Sequence, residues 1–81
     1  MNRIERITFN SNVMGGKPCI RGMRVTVGMI LGQLAAKRTR QEILSDFPYL
    51  EDEDISAALD YAAWRAQEIE VPTPRNLANA P

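Results

Sequence analysis

A capping box followed by a proline fixes one short helix in the middle of the chain. Thr39 and Glu42 stand three residues apart, the spacing at which each side chain bonds the backbone amide of the other and starts a helix. Pro48 has no amide hydrogen to donate, so it ends that helix. Any longer helix in this chain of 81 residues must therefore lie before Thr39 or after Pro48.

The segment before this short helix has a helical pattern of its own. Thr26 is a suitable N-cap, and the apolar residues that follow it recur with the spacing of an amphipathic helix. Gly28 and Gly32 weaken such a helix, so we expect them to mark close packing against a neighbouring element. The cationic pair Lys37 and Arg38 is expected in the last turn, where the helix dipole favours positive charge.

The segment after Pro48 predicts the third and longest helix, over residues 49–70. Four acidic residues, Glu51 to Asp54, stand in its first turn, where the dipole stabilises negative charge. The short turn between this helix and the one before it is typical of a helix-turn-helix unit. The residues of the expected core-facing stripe are Ile55, Ala58, Leu59, Ala62, Ala66 and Ile69.

The N-terminal residues 1–27 predict a short β arm. Arg6–Asn10 and Arg24–Val27 are β-prone runs. The glycines between them, such as Gly22, permit turns with positive φ. We therefore predict a mainly α domain over residues 1–70, a three-helix bundle with this arm, followed by a loose, flexible tail over residues 71–81.

Missing residue types exclude most catalytic chemistry. The chain has no histidine, so the usual general base and the commonest metal ligand are absent. Its lone cysteine, Cys19, cannot form an internal disulfide, and no apolar signal or membrane-spanning segment is recognised, which favours a reducing cytoplasm. The glycines around Lys17 lack the spacing of a phosphate-binding loop, and the acidic run lacks the alternating ligands of a calcium loop. We expect no enzyme, cofactor, metal, membrane contact or small-molecule substrate.

The charges are divided unevenly along the chain. Residues 1–40 contain eight lysines and arginines against one acidic residue, whereas residues 41–81 contain two against nine. One interpretation is a basic surface for an anionic partner and an acidic surface for a basic partner. The other is that the two halves neutralise each other within the fold. The sequence leaves both open.

Two motifs resemble those of a bacterial family, domain of unknown function 433. The motifs are "GGKPCIRGMRVTV" and "EILSDFPYLEDEDISAALDYA", and the resemblance runs from about Ile7 to Ala62. Phe47 stands where the family usually has tyrosine, and Glu51 where a threonine or serine cap is usual. The resemblance implies a homeodomain-like helical core with a strand arm. It further implies an antitoxin role, because relatives are commonly paired with PIN-like ribonuclease toxins.

DNA binding is one expected activity of such a regulator. The usual docking would place the start of the third helix in the major groove, but its four acids would be repelled by the phosphates. We therefore expect DNA contacts from the arm and from the corner between the first two helices. The candidate residues are Lys17, Arg21, Arg24, Lys37, Arg38 and Arg40.

Binding to a partner protein is the other expected activity. Glu51 and Asp52 at the acidic helix start would suit a basic ribonuclease, and an arginine would suit an acidic catalytic pocket. Tyr61 and Trp64 lie on a second face of the long helix. Either the arm covers this face, or it is an interface with a toxin or in a homodimer. An antitoxin that neutralises a PIN-like toxin and binds promoter DNA is the first hypothesis, and a stand-alone DNA-binding regulator is the alternative.

Overall fold

The computed structural model describes residues 3–68, which form three helices and a short N-terminal arm. This confirms the mainly α fold with a β arm. The predicted tail, residues 71–81, lies outside the described residues. The helices are α1 (Val27–Ala35), α2 (Arg40–Asp46) and α3 (Asp52–Glu68), and the arm contains 3-10 turns at Arg3–Arg6 and Met14–Gly16 and strands β1 (Ile7–Thr8) and β2 (Cys19–Ile20).

The predicted start and stop signals operate as expected in α1 and α2. The Thr26 hydroxyl accepts a hydrogen bond from the Met29 amide at 3.0 Å and caps α1. At the start of α2, the Thr39 hydroxyl accepts from the Glu42 amide at 3.0 Å, and Glu42 Oε1 accepts from the Thr39 amide at 2.8 Å. The helix ends at Asp46, just before Pro48.

The second strand lies earlier than predicted. The strand that pairs with β1 is Cys19–Ile20, whereas only Thr26 of the predicted Arg24–Val27 run forms an isolated bridge, to Cys19. The cause is a tight turn at Arg21 and Gly22, both with positive φ, after which the Met23 amide donates to the Ile20 carbonyl. Val27 is already the first residue of α1.

Two expectations about α1 are wrong. Lys37 and Arg38 lie beyond the helix, which ends at Ala35, and Lys37 has a φ of 68° where the chain turns. Because Lys37 itself adopts this left-handed conformation, the helix ends before it. Gly28 and Gly32 are exposed and meet no neighbouring element within the described residues.

The buried face of α3 is rotated from the predicted stripe. Ile55 and Ala58 are fully buried as expected, but so are Asp54 and Ala57, while Leu59 is 41 % exposed. The face turns towards Ala57 because both the arm and α1 pack on α3. Of the other predicted stripe residues, Ala66 is exposed, Ala62 is half-buried and Ile69 lies outside the described residues.

Candidate partner-binding site

The arm and α3 enclose an aromatic groove of about 450 Å³. We use this name for the surface formed by Ile4, Ile7, Phe9, Tyr61 and Trp64. Ile7 is buried beside β2, whereas Phe9 remains 60 % exposed and Trp64 47 % exposed. The ring centroids of Phe9 and Tyr61 lie 6.0 Å apart, and those of Tyr61 and Trp64 lie 5.8 Å apart.

The groove follows from two local spacings. Ile7 and Phe9 are two residues apart on an extended segment, so they point to the same side. Tyr61 and Trp64 are three residues apart on a helix and share one face. Because the arm covers Tyr61 more than Trp64, this face is part arm contact and part open surface.

A fully buried carboxylate, that of Asp54, ties the arm to the start of α3. Arg21 donates to it twice, from Nε to Oδ1 at 3.0 Å and from Nη2 to Oδ2 at 2.8 Å. Arg6 Nη1 donates to Oδ1 at 2.8 Å, and the Glu51 amide donates to Oδ2 at 2.8 Å. A buried charge requires such partners, because unpaired burial costs several kcal/mol, roughly 3–5 when one partner is removed.

The pKa of Asp54 lies below its ordinary value. Burial alone would raise it, but the hydrogen bonds from Arg21, the Glu51 amide and Arg6 outweigh burial and favour the charged form. Hydrogen bonds to carboxylates raise the pKa of both arginines, and these bonds run from Arg6 to Glu51 and then Asp54, and from Arg21 to Asp54. The carboxylate is therefore ionised and fully partnered at neutral pH.

The other acids of the first turn of α3, and Glu51 just before it, are also paired with arginines. Arg40 Nε donates to Asp52 Oδ1 at 2.8 Å, and this bond lowers the pKa of Asp52. Arg6 Nη1 donates to Glu51 Oε1 at 2.8 Å, and Arg3 lies 3.6 Å from Glu53. Each acidic side chain that was expected to repel DNA phosphates thus lies beside an arginine.

A comparison with protein-family models matches residues 7–62, more than half of the chain, to the family described as "Protein of unknown function (DUF433)". The chain belongs to this family. The predicted resemblance is confirmed, although the family description names no function. Corresponding searches of curated proteins and of solved structures give no match.

The predicted DNA-binding residues of this DUF433 protein fall into two groups. Arg21 and Arg40 bond the acidic start of α3, and Arg38 pairs with Asp46 and lies near Glu42. Within residues 3–68, no acidic side chain pairs with the other three, which are Lys17, Arg24 and Lys37.

The predicted partner-binding residues of the DUF433 protein do not form one site. Tyr61 and Trp64 meet in the aromatic groove, but Asp52 lies twelve residues before Trp64, about 18 Å along the helix axis. Glu51 and Asp52 are exposed and already paired with arginines. For most of the unevenly divided charges, the structure thus favours the second interpretation, in which the basic and acidic halves of the chain neutralise each other within the fold.

The sequence left open whether the arm covers the face of Tyr61 and Trp64, and it identified no arm residue that does so. Ile7 and Phe9 belong to the predicted Arg6–Asn10 run, and their two-residue spacing is a usable signal that they share one side. In the part of the chain that is described, no cluster of three potential metal-ligating side chains occurs. None of the described helices has both the length and the apolar character needed to cross a membrane.

Proposed function

We propose that this DUF433 protein is an antitoxin-like regulator that binds and neutralises a PIN-like ribonuclease toxin through the aromatic groove. The observation that supports this most directly is the exposure of Phe9 and Trp64 beside Tyr61 around one apolar groove. Tryptophan and tyrosine are the commonest anchors of protein interfaces. The PIN-like identity of the partner rests on the family resemblance.

The arm holds the groove in a fixed shape, which favours binding. Arg3 Nε donates to Asp60 Oδ2 at 2.9 Å, one residue before Tyr61, and Arg6 is bonded to buried Asp54. These bonds secure the arm on both sides of Ile4. A partner therefore meets a surface that needs little ordering, and less binding free energy is lost to entropy.

The acidic start of α3 contributes less to this proposal than its sequence suggested. Glu51 and Asp52 have arginine partners 2.8 Å away, so their field at a basic partner is weakened. We therefore assign toxin binding mainly to Tyr61 and Trp64. We place the activity in the bacterial cytoplasm, where one cysteine and no disulfide are suitable.

Promoter DNA binding, by this protein or by its toxin complex, is the second part of the proposal. The arginines beside the acids of α3 favour it, because they reduce the repulsion of phosphates at this helix start. The cations without an acidic partner in residues 3–68, namely Lys17, Arg24 and Lys37, are proposed as phosphate contacts. The same observation supports the alternative of a stand-alone DNA-binding regulator.

Replacing Trp64 by alanine tests the toxin-binding proposal. The first step is to establish whether the adjacent reading frame encodes a PIN-like ribonuclease, and the assay then measures RNA cleavage by that enzyme with increasing amounts of this protein. Loss of an interface anchor costs about 2 kcal/mol or more, so W64A should need about thirtyfold more protein for half-inhibition. Leu59, on another side of the same helix and 41 % exposed, supplies the control, and L59A should inhibit like the wild type.

Two results would contradict this assignment. Full inhibition by W64A would remove the groove from the toxin interface, and failure of the wild-type protein to bind the ribonuclease would remove the antitoxin function. Light scattering identifies a competing occupant, because a homodimer that W64A dissociates would assign the groove to a second copy. Gel shifts with promoter DNA then test the DNA-binding alternative separately.

A further inference from the structure

A second open pocket, of about 430 Å³, lies where the arm meets the corner between α2 and α3. Tyr49 forms the side that belongs to the corner, and the arm contributes Gly22, Met23, Arg24 and Val25. Val25 is buried, Met23 is half-buried, and Tyr49 is 53 % exposed. The pocket therefore combines an apolar floor, one aromatic ring and one guanidinium.

The walls of this pocket are held in place by Arg21. Its backbone forms the tight turn that precedes Met23, and its Nη2 donates to the Tyr49 carbonyl at 3.1 Å. The same guanidinium is bonded to buried Asp54. The arm loop and the corner are thus joined through one side chain, so the pocket exists before a ligand arrives.

Arg21 and Arg24, three residues apart, have different roles. Arg21 is committed to Asp54, whereas the only hydrogen bond of the Arg24 side chain within residues 3–68 is a 3.9 Å contact with Met14 Sδ. A thioether is a weak acceptor and leaves the positive charge uncompensated. Arg24 is therefore available to an anion in the pocket.

Tyr49 presents an aromatic surface to the same space. Its ring packs in an edge arrangement with Phe47, with centroids 6.2 Å apart and an interplanar angle of 86°. This contact fixes the ring while leaving more than half of the residue exposed. A ligand with a planar group and a negative charge could stack on the tyrosine ring and pair with Arg24.

We propose that this pocket binds one unpaired nucleotide of a single-stranded nucleic acid, with the base stacked on Tyr49 and the phosphate bonded to Arg24. Aromatic platforms beside arginines bind single strands in this manner. In a duplex, the faces of each base are covered by neighbouring bases, so the tyrosine ring would have nothing to stack on. The site does not depend on toxin neutralisation, and its ligand differs from the promoter duplex of the proposed function.

The test measures binding of short fluorescent oligonucleotides by anisotropy at low salt. Single-stranded RNA, single-stranded DNA of the same sequence and the corresponding DNA duplex serve as separate probes. Stacking on an aromatic side chain changes affinity by about five- to hundredfold per base. We expect Y49L to weaken single-strand binding by such a factor and Y49F, which keeps the ring, to bind like the wild type.

Arg24 is tested against a matched cation elsewhere on the surface. R24Q should weaken single-strand binding about tenfold and reduce the slope of log affinity against log salt by about 0.7, one phosphate contact. Arg65, exposed in the last turn of α3, also has no acidic partner within residues 3–68, so R65Q removes the same charge far along the chain from the pocket and should have little effect. Circular dichroism of each variant confirms that the fold is retained.

Three outcomes would overturn the proposal. They are no measurable binding of either single strand, binding of the duplex at least as tight as that of the single strands, and equal losses in R24Q and R65Q. The third outcome would indicate a general charge effect. None of these results depends on whether the ribonuclease binds, so the toxin-binding proposal stands or fails independently.

Discussion

The first turn of α3 and its last two turns are packed differently by the rest of the chain. At the first turn, Asp54 is fully buried and each acidic side chain lies beside an arginine from another element. At the other end, Trp64 is 47 % exposed, and residues 65–67, which follow it in the same helix, are exposed as well. One helix thus uses its charged end for folding and leaves its aromatic end exposed, where we propose that a partner binds.

This difference teaches that most charged residues of this chain that stand out in the sequence serve the fold. The acidic run and most arginines stood out in the sequence, yet the structure pairs them with one another. The aromatic residues are fewer, but several of them remain exposed to solvent after folding. Substitutions in the first turn of α3 should therefore change stability, whereas substitutions at Trp64 should change binding.

The largest effect is expected at Asp54. Asp54→Ala leaves Arg6 and Arg21 without their buried partner, and breaking a buried ion pair costs about 3–5 kcal/mol. Chemical denaturation monitored by circular dichroism measures the free energy of unfolding. Glu53, in the same turn, is the control, because its exposed contact with Arg3 contributes about 1 kcal/mol or less. Equal losses in D54A and E53A would show that burial of the carboxylate does not matter.

Acid should reduce the contribution of the Asp54 carboxylate to the stability of the fold. Folding lowers the pKa of Asp54 below its ordinary value of 3.8, so the ionised carboxylate stabilises the fold above that value. This stabilisation is lost as the pH falls through the lower, folded-state pKa. The urea midpoint of the wild type should therefore decrease in acid more steeply than that of Asp54→Asn, which has no proton to gain. Parallel pH profiles for the two proteins would contradict this account.

The smallest effect on stability is expected at Trp64. About half of this residue is already in contact with solvent, so Trp64→Ala should reduce the free energy of unfolding by about 1 kcal/mol or less. The measurement is the same denaturation experiment. A loss of about 3–5 kcal/mol, typical of a core aromatic residue, would mean that Trp64 belongs to the fold and not to an interface.

Local signals in the sequence predicted the helices well. Thr26, the Thr39–Glu42 capping box and Pro48 act on their own backbone, and the structure confirms each of them. Contacts between distant segments were not predictable in the same way. The position of β2 depends on pairing with β1, and the buried state of Asp54 depends on arginines 33 and 48 residues earlier. No pattern in a single sequence specifies such partners.

The candidate site shows the same division. The placement of Tyr61 and Trp64 on one helix face followed from helical periodicity, and the structure brings them together. The contribution of Phe9 required knowledge of where the arm packs. Likewise, nothing in the sequence distinguished Arg21 from Arg24, although one is bonded to Asp54 and the other has no acidic partner in residues 3–68.

The long separations around Asp54 also affect the order in which the molecule is completed during synthesis. Arg6 and Arg21 leave the ribosome first, but the carboxylate that fixes them is made 48 and 33 residues later. Until then the arm has no buried anion to bind, and closing loops of this length costs entropy that contacts with α3 must offset. The N-terminal arm is thus the first part of the domain to be made and among the last to be fixed, and the aromatic groove is completed only after α3 has emerged.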